Sequence, residues 1–407
     1  MTPLSDSTDA RTRGPRGAHV GLAILALAMG GFAIGTTEFV SMGLLPQVAR
    51  GVDVSIPSAG HAISAYAVGV VVGAPAIAFL GSGWPRRAVL IGLMTLFALG
   101  NAATAVVTSY PGLLAARFVS GLPHGAFFGV ASLLAASLAR PGRQGRAVAK
   151  VMLGLSFANV AGVPAATWLG QNLGWRSAYW LVAALALVTL ALVTAFVPTR
   201  PGDPSASWRR ELRALGDPQV LLTLVAGAIG FGGMFAVYTY VVPTLTEVGG
   251  LPESAAPVFL LAFGLGMVAG TWLAGELAAW SVFRSLFIGG GGQGLLLLVF
   301  ALAAPAGWWT LPVVFGITAT GSVLVVNLQL RLMDVAGDAQ TIGAAMNHAS
   351  LNLANALGAW LGGLVIAAGW GYRAPAVVGF GLSMLGLVVL GLSARLHVGE
   401  RRRTALR

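Results

Sequence analysis

Glu38 and Arg117 both lie inside long apolar segments of a 407-residue chain. An ionisable side chain at membrane depth costs roughly 2.5–3.5 kcal/mol on insertion scales, so it needs a partner or a purpose. Glu38 stands seven residues before Leu45, where the first apolar segment ends. Arg117 stands six residues after Pro111, where the fourth begins. At 1.5 Å per residue both fall roughly 10 Å below the same surface. A carboxyl in an apolar site beside a guanidinium can exchange a proton, because burial and the cation pull in opposite directions. Glu38 is therefore the expected proton carrier and Arg117 its partner. A static ion pair that only fixes helix packing is the alternative. His124 follows Arg117 by seven residues on the same helical face. It could relay protons, or be a neutral packing residue.

A second set could hold a solute. Pockets for drug-like molecules have apolar and aromatic walls with a few polar anchors. The candidates are Phe39, Met42, Phe127, Phe128, Asn159, Phe235, Tyr238, Tyr240 and Asn327. His348, Asn352 and Asn355 add a polar stripe at spacings of four and three. Such a stripe either lines a solute path or joins helices. Phe127 and Phe128 diverge by about 100° on a helix, so both cannot face one cavity. One carboxylate without a dense polar ring predicts a neutral or weakly basic, moderately lipophilic solute.

Enzyme chemistry finds little support. With no cysteines, thiol catalysis and thiolate metal sites are excluded. There is no His-Glu-x-x-His and no Gly-x-Ser-x-Gly. The run Gly289-Gly290-Gly291-Gly292 lacks the ending and the strand of a phosphate loop. No cofactor or metal is expected.

The elements that position these residues follow from composition. Hydrophobic types make up 57% and charged types 9%, against about 25% charged in a soluble domain. The chain reads as an all-α polytopic membrane protein. Twelve apolar segments are predicted, at 20–45, 58–80, 88–108, 111–137, 148–170, 176–197, 219–243, 255–279, 285–304, 309–331, 341–366 and 373–394. Each can cross a hydrocarbon core of roughly 30 Å. Of the 24 basic residues, 20 fall at one membrane face, three at the other and Arg117 within a span. The positive-inside rule then puts both termini in the cytoplasm, the chain in the inner membrane, and accounts for the net charge of +11 without nucleic acid.

The longest polar loop divides the spans six and six. The expected organisation is an N-terminal tail at 1–19, a bundle at 20–197, a central loop at 198–217, a second bundle at 218–395 and a tail at 396–407. The halves match in register at an offset of 197: Gly30 with Gly227, Pro46 with Pro243, Gly69 with Gly266, Gly73 with Gly270, Arg87 with Arg284, and Arg176 with Arg373. A duplicated six-helix unit with a site between its copies is a transporter plan.

Six plus six spans with a basic loop between spans 2 and 3 resemble the major facilitator superfamily. Gly35-Thr36-Thr37-Glu38-Phe39-Val40, running into Gly43-Leu44-Leu45-Pro46, resembles the first helix of its twelve-span drug:proton antiporters. Arg117-Phe118-Val119-Ser120-Gly121 resembles their fourth-helix motif. Gly154 with Asn159, Gly162 and Pro164 resembles their fifth-helix Gly/Pro motif. The blend is most similar to chloramphenicol-efflux and sugar-efflux transporters. The resemblance implies two pseudo-symmetric six-helix bundles, alternating access, and export of small amphipathic compounds, phenicols among them, in exchange for protons. It implies a monomer in the lipid bilayer. It makes Arg86, Arg87, Gly162 and Pro164 gating candidates. The loop reads Gly81-Ser82-Gly83-Trp84-Pro85-Arg86-Arg87 and lacks the family's Asp. Sugar or metabolite efflux is the alternative on the same fold.

Overall fold

The computed structural model describes residues 17–81, 84–140, 143–199, 216–335 and 340–405. Most of the tail at 1–19 and of the central loop at 198–217 therefore lies outside the described residues. The described residues form helices and turns, with no strand among them. A helix satisfies its own backbone polar groups, which lipid cannot do.

The described residues form twelve spans. Span 1 is Gly17–Gly43, continued by the short helix Leu45–Gly51. Span 2 is Ile56–Gly81, span 3 Arg86–Val106 and span 4 Tyr110–Leu138. Span 5 runs from Gln144–Phe157 through a π-helical turn, Ala158–Gly162, into Val163–Leu173. Span 6 is Arg176–Phe196. Span 7 comes in three pieces, Pro218–Gly230, Gly232–Thr239 and Val241–Glu247. Spans 8 to 12 are Ala256–Trp280, Val282–Ala303, Leu311–Val335, Gln340–Ala367 and Ala374–Ala405. Ser109 and Asp217 cap spans 4 and 7, each followed by a proline whose missing N–H costs nothing there. Gly369 and Gly371 take positive φ in the turn between spans 11 and 12.

Through the segment expected as a tail, 396–407, the helix of span 12 runs on to Ala405. Its charged residues are good helix formers and no proline stops them. The breaks in spans 5 and 7 were also not expected from a uniformly apolar pattern.

The repeat is structural. Val106 and Ala303 close spans 3 and 9, and Leu138 and Val335 close spans 4 and 10, each pair 197 apart. A Cβ on Gly69 would lie 2.2 Å from the Phe118 carbonyl oxygen, and one on Gly266 2.3 Å from that of Phe315. Gly73 against Leu122 and Gly270 against Ala319 repeat the same approach, both at 2.1 Å. Small residues here let span 2 touch span 4, and span 8 touch span 10, backbone to backbone.

The halves meet along spans 2 and 11 and along spans 5 and 8. Spans 5 and 8 cross at the π-helical turn, where a Cβ on Gly264 would lie 2.4 Å from the Asn159 carbonyl oxygen. Chain entry and exit define a terminal face; the loop after span 1 lies on the distal face. One core cluster belongs to the first half alone and includes Leu27, Phe97 and Phe127. Another joins the second half to Phe39, Met42, Leu45, Ala49, Ala59, Ile63 and Val163 of the first. These first-half residues lie toward the distal ends of their spans, so the distal side is closed. Exposed tryptophans mark both ends: Trp308, Trp309 and Trp370 distally, Trp84 and Trp280 at the terminal face. Aromatic belts of this kind sit at headgroup level.

Candidate functional site

Span 1 turns Thr37, Glu38 and Ser41 inward, all buried. Arg117 of span 4 is fully buried beside them. Its Nη1 donates to Thr37 Oγ1 at 3.1 Å and its Nη2 to the Thr37 carbonyl at 3.2 Å. Thr37 Oγ1 donates onward to Asn101 Oδ1 at 2.5 Å. The guanidinium carbon lies 4.4 Å from the Tyr66 ring centre and 5.4 Å from that of Tyr179. Cation–π contacts of this kind are worth about 2 kcal/mol or more when desolvated. Tyr179 is held in turn by Ser41, hydroxyl to hydroxyl at 2.8 Å.

Sequence depth correctly brings Glu38 and Arg117 to one level. It does not bring them into an ion pair. Among the described residues, the Glu38 carboxyl makes no hydrogen bond and no salt bridge. It lies within Coulombic range of Arg117, Tyr66 and Tyr238. Arg117 meets the residue next to Glu38 instead, because Thr37 supplies two acceptors from one turn of span 1.

His124 joins the same cluster through Tyr66, whose hydroxyl meets its Nδ1 at 3.0 Å. The His124 ring lies 5.4 Å from Phe128, and Phe128 stacks on His348 of the second half at 5.5 Å. Pro123 precedes His124 inside span 4 and leaves the Val119 carbonyl without its helical donor.

On the other side of Glu38 stand aromatic rings. Phe39 faces Phe235 at 6.4 Å, nearly parallel, and Tyr238 at 5.5 Å. Tyr238 meets Phe263 at 4.1 Å. Met42 is buried in the same cluster. The repeat makes the contrast plain: Glu38, Tyr66, Arg117 and His124 correspond at the offset of 197 to Phe235, Phe263, Val314 and Gly321. Ionisable groups occupy one half and apolar groups the equivalent places in the other.

Three of the candidate asparagines hold themselves to their own helices and leave one atom over. Asn159, Asn327 and Asn352 each donate Nδ2 to the carbonyl four residues back. Their Oδ1 atoms, and both side-chain polar atoms of Asn355, are buried with no partner among the described residues. A buried polar group left so costs about 1–3 kcal/mol, which a bound solute or water can recover.

Some candidates lie elsewhere. Phe127 belongs to the first-half core, with its ring where a Cβ on Gly30 would be. Tyr240 gives its hydroxyl to the Ala359 carbonyl at 2.7 Å and packs on Gly60, closing the distal side. Arg86 bonds the Leu133 carbonyl, and Arg87 the Thr194 carbonyl and Thr199, all within the first half. Gly162 ends the π-helical turn against Thr36 and Phe32, and Pro164 opens the helix that follows.

Sequence reasoning missed Tyr66, Thr37, Asn101 and Tyr179. Each is a polar side chain within a membrane-spanning segment, which is the available signal. It also missed a distal cluster. Glu253, just before span 8, takes both Arg50 Nη atoms, at 2.9 and 3.1 Å, and Gln47 Nε2 at 2.7 Å. Its backbone carbonyl accepts from Gln171 at 2.7 Å.

Residues 27–348 match the family model described as Major Facilitator Superfamily. The chain is 44% identical to the inner membrane transport protein YdhP of Escherichia coli (strain K12), over 91% of this chain and 96% of that one. It is 36% identical to a chloramphenicol resistance protein of Streptomyces lividans, over 83% of this chain and 87% of that one. Among solved structures, a D-xylose-proton symporter superposes with a TM-score of 0.73 at 17% identity, covering 91% of this chain and 97% of that one.

Proposed function

Because the chain belongs to the Major Facilitator Superfamily and is a membrane transporter of that fold, we propose that it exports small amphipathic compounds in exchange for protons. The observation that carries this reading is Glu38: a buried carboxyl without a bonded partner, beside a guanidinium held by other groups. In this scheme Glu38 carries the proton while the distal side is closed. Movement of Arg117 toward it, or entry of a solute among Phe39, Phe235 and Tyr238, changes the balance and the proton leaves. Both termini are cytoplasmic in this scheme, the bundles at 20–197 and 218–395 rock about the crossings of spans 2 with 11 and 5 with 8, and one copy of the chain suffices.

The aromatic wall and single carboxyl fit a neutral or weakly basic, moderately lipophilic solute. Phenicols are the first class to test, given the similarity to a chloramphenicol resistance protein. The unpaired amide oxygens of Asn159, Asn327 and Asn352, and the whole side-chain amide of Asn355, favour a second reading, a hydroxyl-rich solute such as a sugar.

The test is resistance of an efflux-deficient bacterium carrying the chain, with and without a protonophore, together with phenicol uptake into everted vesicles. Glu38→Gln should insert normally and lose proton-driven uptake. Normal pumping by that variant under a proton gradient would sink the coupling role. Resistance that survives the protonophore would sink the energy source, and sugar rather than phenicol transport would favour the second reading.

A further inference from the structure

Tyr66 lies between two groups that the coupling scheme needs and touches both. The face of its ring carries the Arg117 guanidinium at 4.4 Å, and its hydroxyl meets His124 Nδ1 at 3.0 Å. Its backbone is held fast, since a Cβ on Gly121 of span 4 would lie 2.1 Å from the Tyr66 carbonyl oxygen. The fully buried side chain is therefore the part that can respond to its neighbours. His124 continues to Phe128, and Phe128 stacks on His348 of the opposite half. An unbroken line of contacts thus runs from the second half, through two histidines and two rings, to the guanidinium beside Glu38.

We propose that Tyr66 is a positioning residue that relays the approach of the two halves to Arg117, holding the guanidinium on Thr37 while the distal side is closed and releasing it toward Glu38 when His348 withdraws. This rests on the reading of Glu38 as proton carrier. When the halves part, Phe128 loses its partner and His124 and the Tyr66 hydroxyl turn with it. The Arg117 platform then breaks on one side, leaving Tyr179 and Thr37. The titratable and charged groups around this point are Glu38 on span 1, Arg117 and His124 on span 4, Tyr179 on span 6, Tyr238 on span 7 and His348 on span 11.

The test uses purified full-length protein and needs no solute. The infrared carboxyl band that Glu38→Gln removes is titrated against pH in the wild type, Tyr66→Phe and Tyr66→Leu. Phe keeps the ring and loses the bond to His124; Leu loses both. The midpoint should move by about one pH unit or more in the Leu variant and by an intermediate amount in the Phe variant. His124→Asn should move it as Tyr66→Phe does, and the two changes together should be no larger than either alone. Wild-type midpoints in both Tyr66 variants, or additive shifts in the double variant, would overturn the relay while leaving Glu38 as carrier. A Glu38 band that never titrates would overturn both readings.

Discussion

At the scale of residues, the arrangement around Arg117 explains how a full positive charge survives in an apolar interior. Burying a charge is tolerable when most of its donors and faces are met; of the Arg117 donors, Nε alone is buried with no partner among the described residues. Thr37 supplies two acceptors, and Tyr66 and Tyr179 supply two π faces. Arg117 thereby spends its hydrogen bonds on Thr37 and not on the Glu38 carboxyl. Thr37 can be tested directly. Thr37→Val keeps shape but removes the hydroxyl, so Arg117 Nη1 and Asn101 Oδ1 each lose a partner. Stability should fall by about 1.5–3 kcal/mol, the usual worth of a hydrogen bond to a charged group. Thermal melting in detergent reads this, and an unchanged melting temperature would show that Arg117 is held by other groups.

At the scale of elements, glycine decides where helices touch. Gly264 lets span 8 lie against the π-helical turn of span 5, across the boundary between halves. Turns of this type recur at functional sites because they shift side-chain register by one residue. Here the shift places Asn159 at the crossing. Gly264→Ala puts a methyl 2.4 Å from a carbonyl oxygen, so the halves must separate or the turn must distort. Transport should drop severalfold and the melting temperature should fall. Gly92 of span 3 is the control, with nothing within 4 Å of its Cβ position. Gly92→Ala should be neutral or stabilising by about 0.5–1 kcal/mol. Equal behaviour of the two variants in both assays would remove the argument from close packing.

At the scale of the whole molecule, the distal face is closed by a shared apolar core and by one acidic residue. Glu253 of the second half gathers Arg50 and Gln47 from the end of span 1 and Gln171 from span 5. The bond to Glu253 raises the Arg50 pKa further, so that end of the pair stays charged at any physiological pH. The pair is partly exposed, so each contact is modest and screened by salt. Glu253→Gln should weaken closure by about 0.5–1 kcal/mol, a two- to fivefold change in the open population. The chain has no cysteine, so a single Ala59→Cys reports opening without background. Ala59 is fully buried in the shared core. An impermeant maleimide should label that cysteine faster in Glu253→Gln, and high salt should raise the rate in the parent chain. Identical rates would mean that the apolar core alone holds the face closed.

Much of this was legible from residue types in order. Twelve apolar runs, an in-register offset of 197 and the common depth of Glu38 and Arg117 all follow from periodicities that one dimension records. Lipid leaves a chain of this composition little alternative to helices, so element type and number are local properties. The partners of the charges are not local. Thr37, Tyr66 and Tyr179 come from spans 1, 2 and 6 and meet Arg117 from span 4, with Asn101 of span 3 bonded to Thr37, only because glycines set how closely those helices pack. The rotation of each helix, fixed by contacts between spans far apart in sequence, sent Arg117 to Thr37 and left Glu38 free.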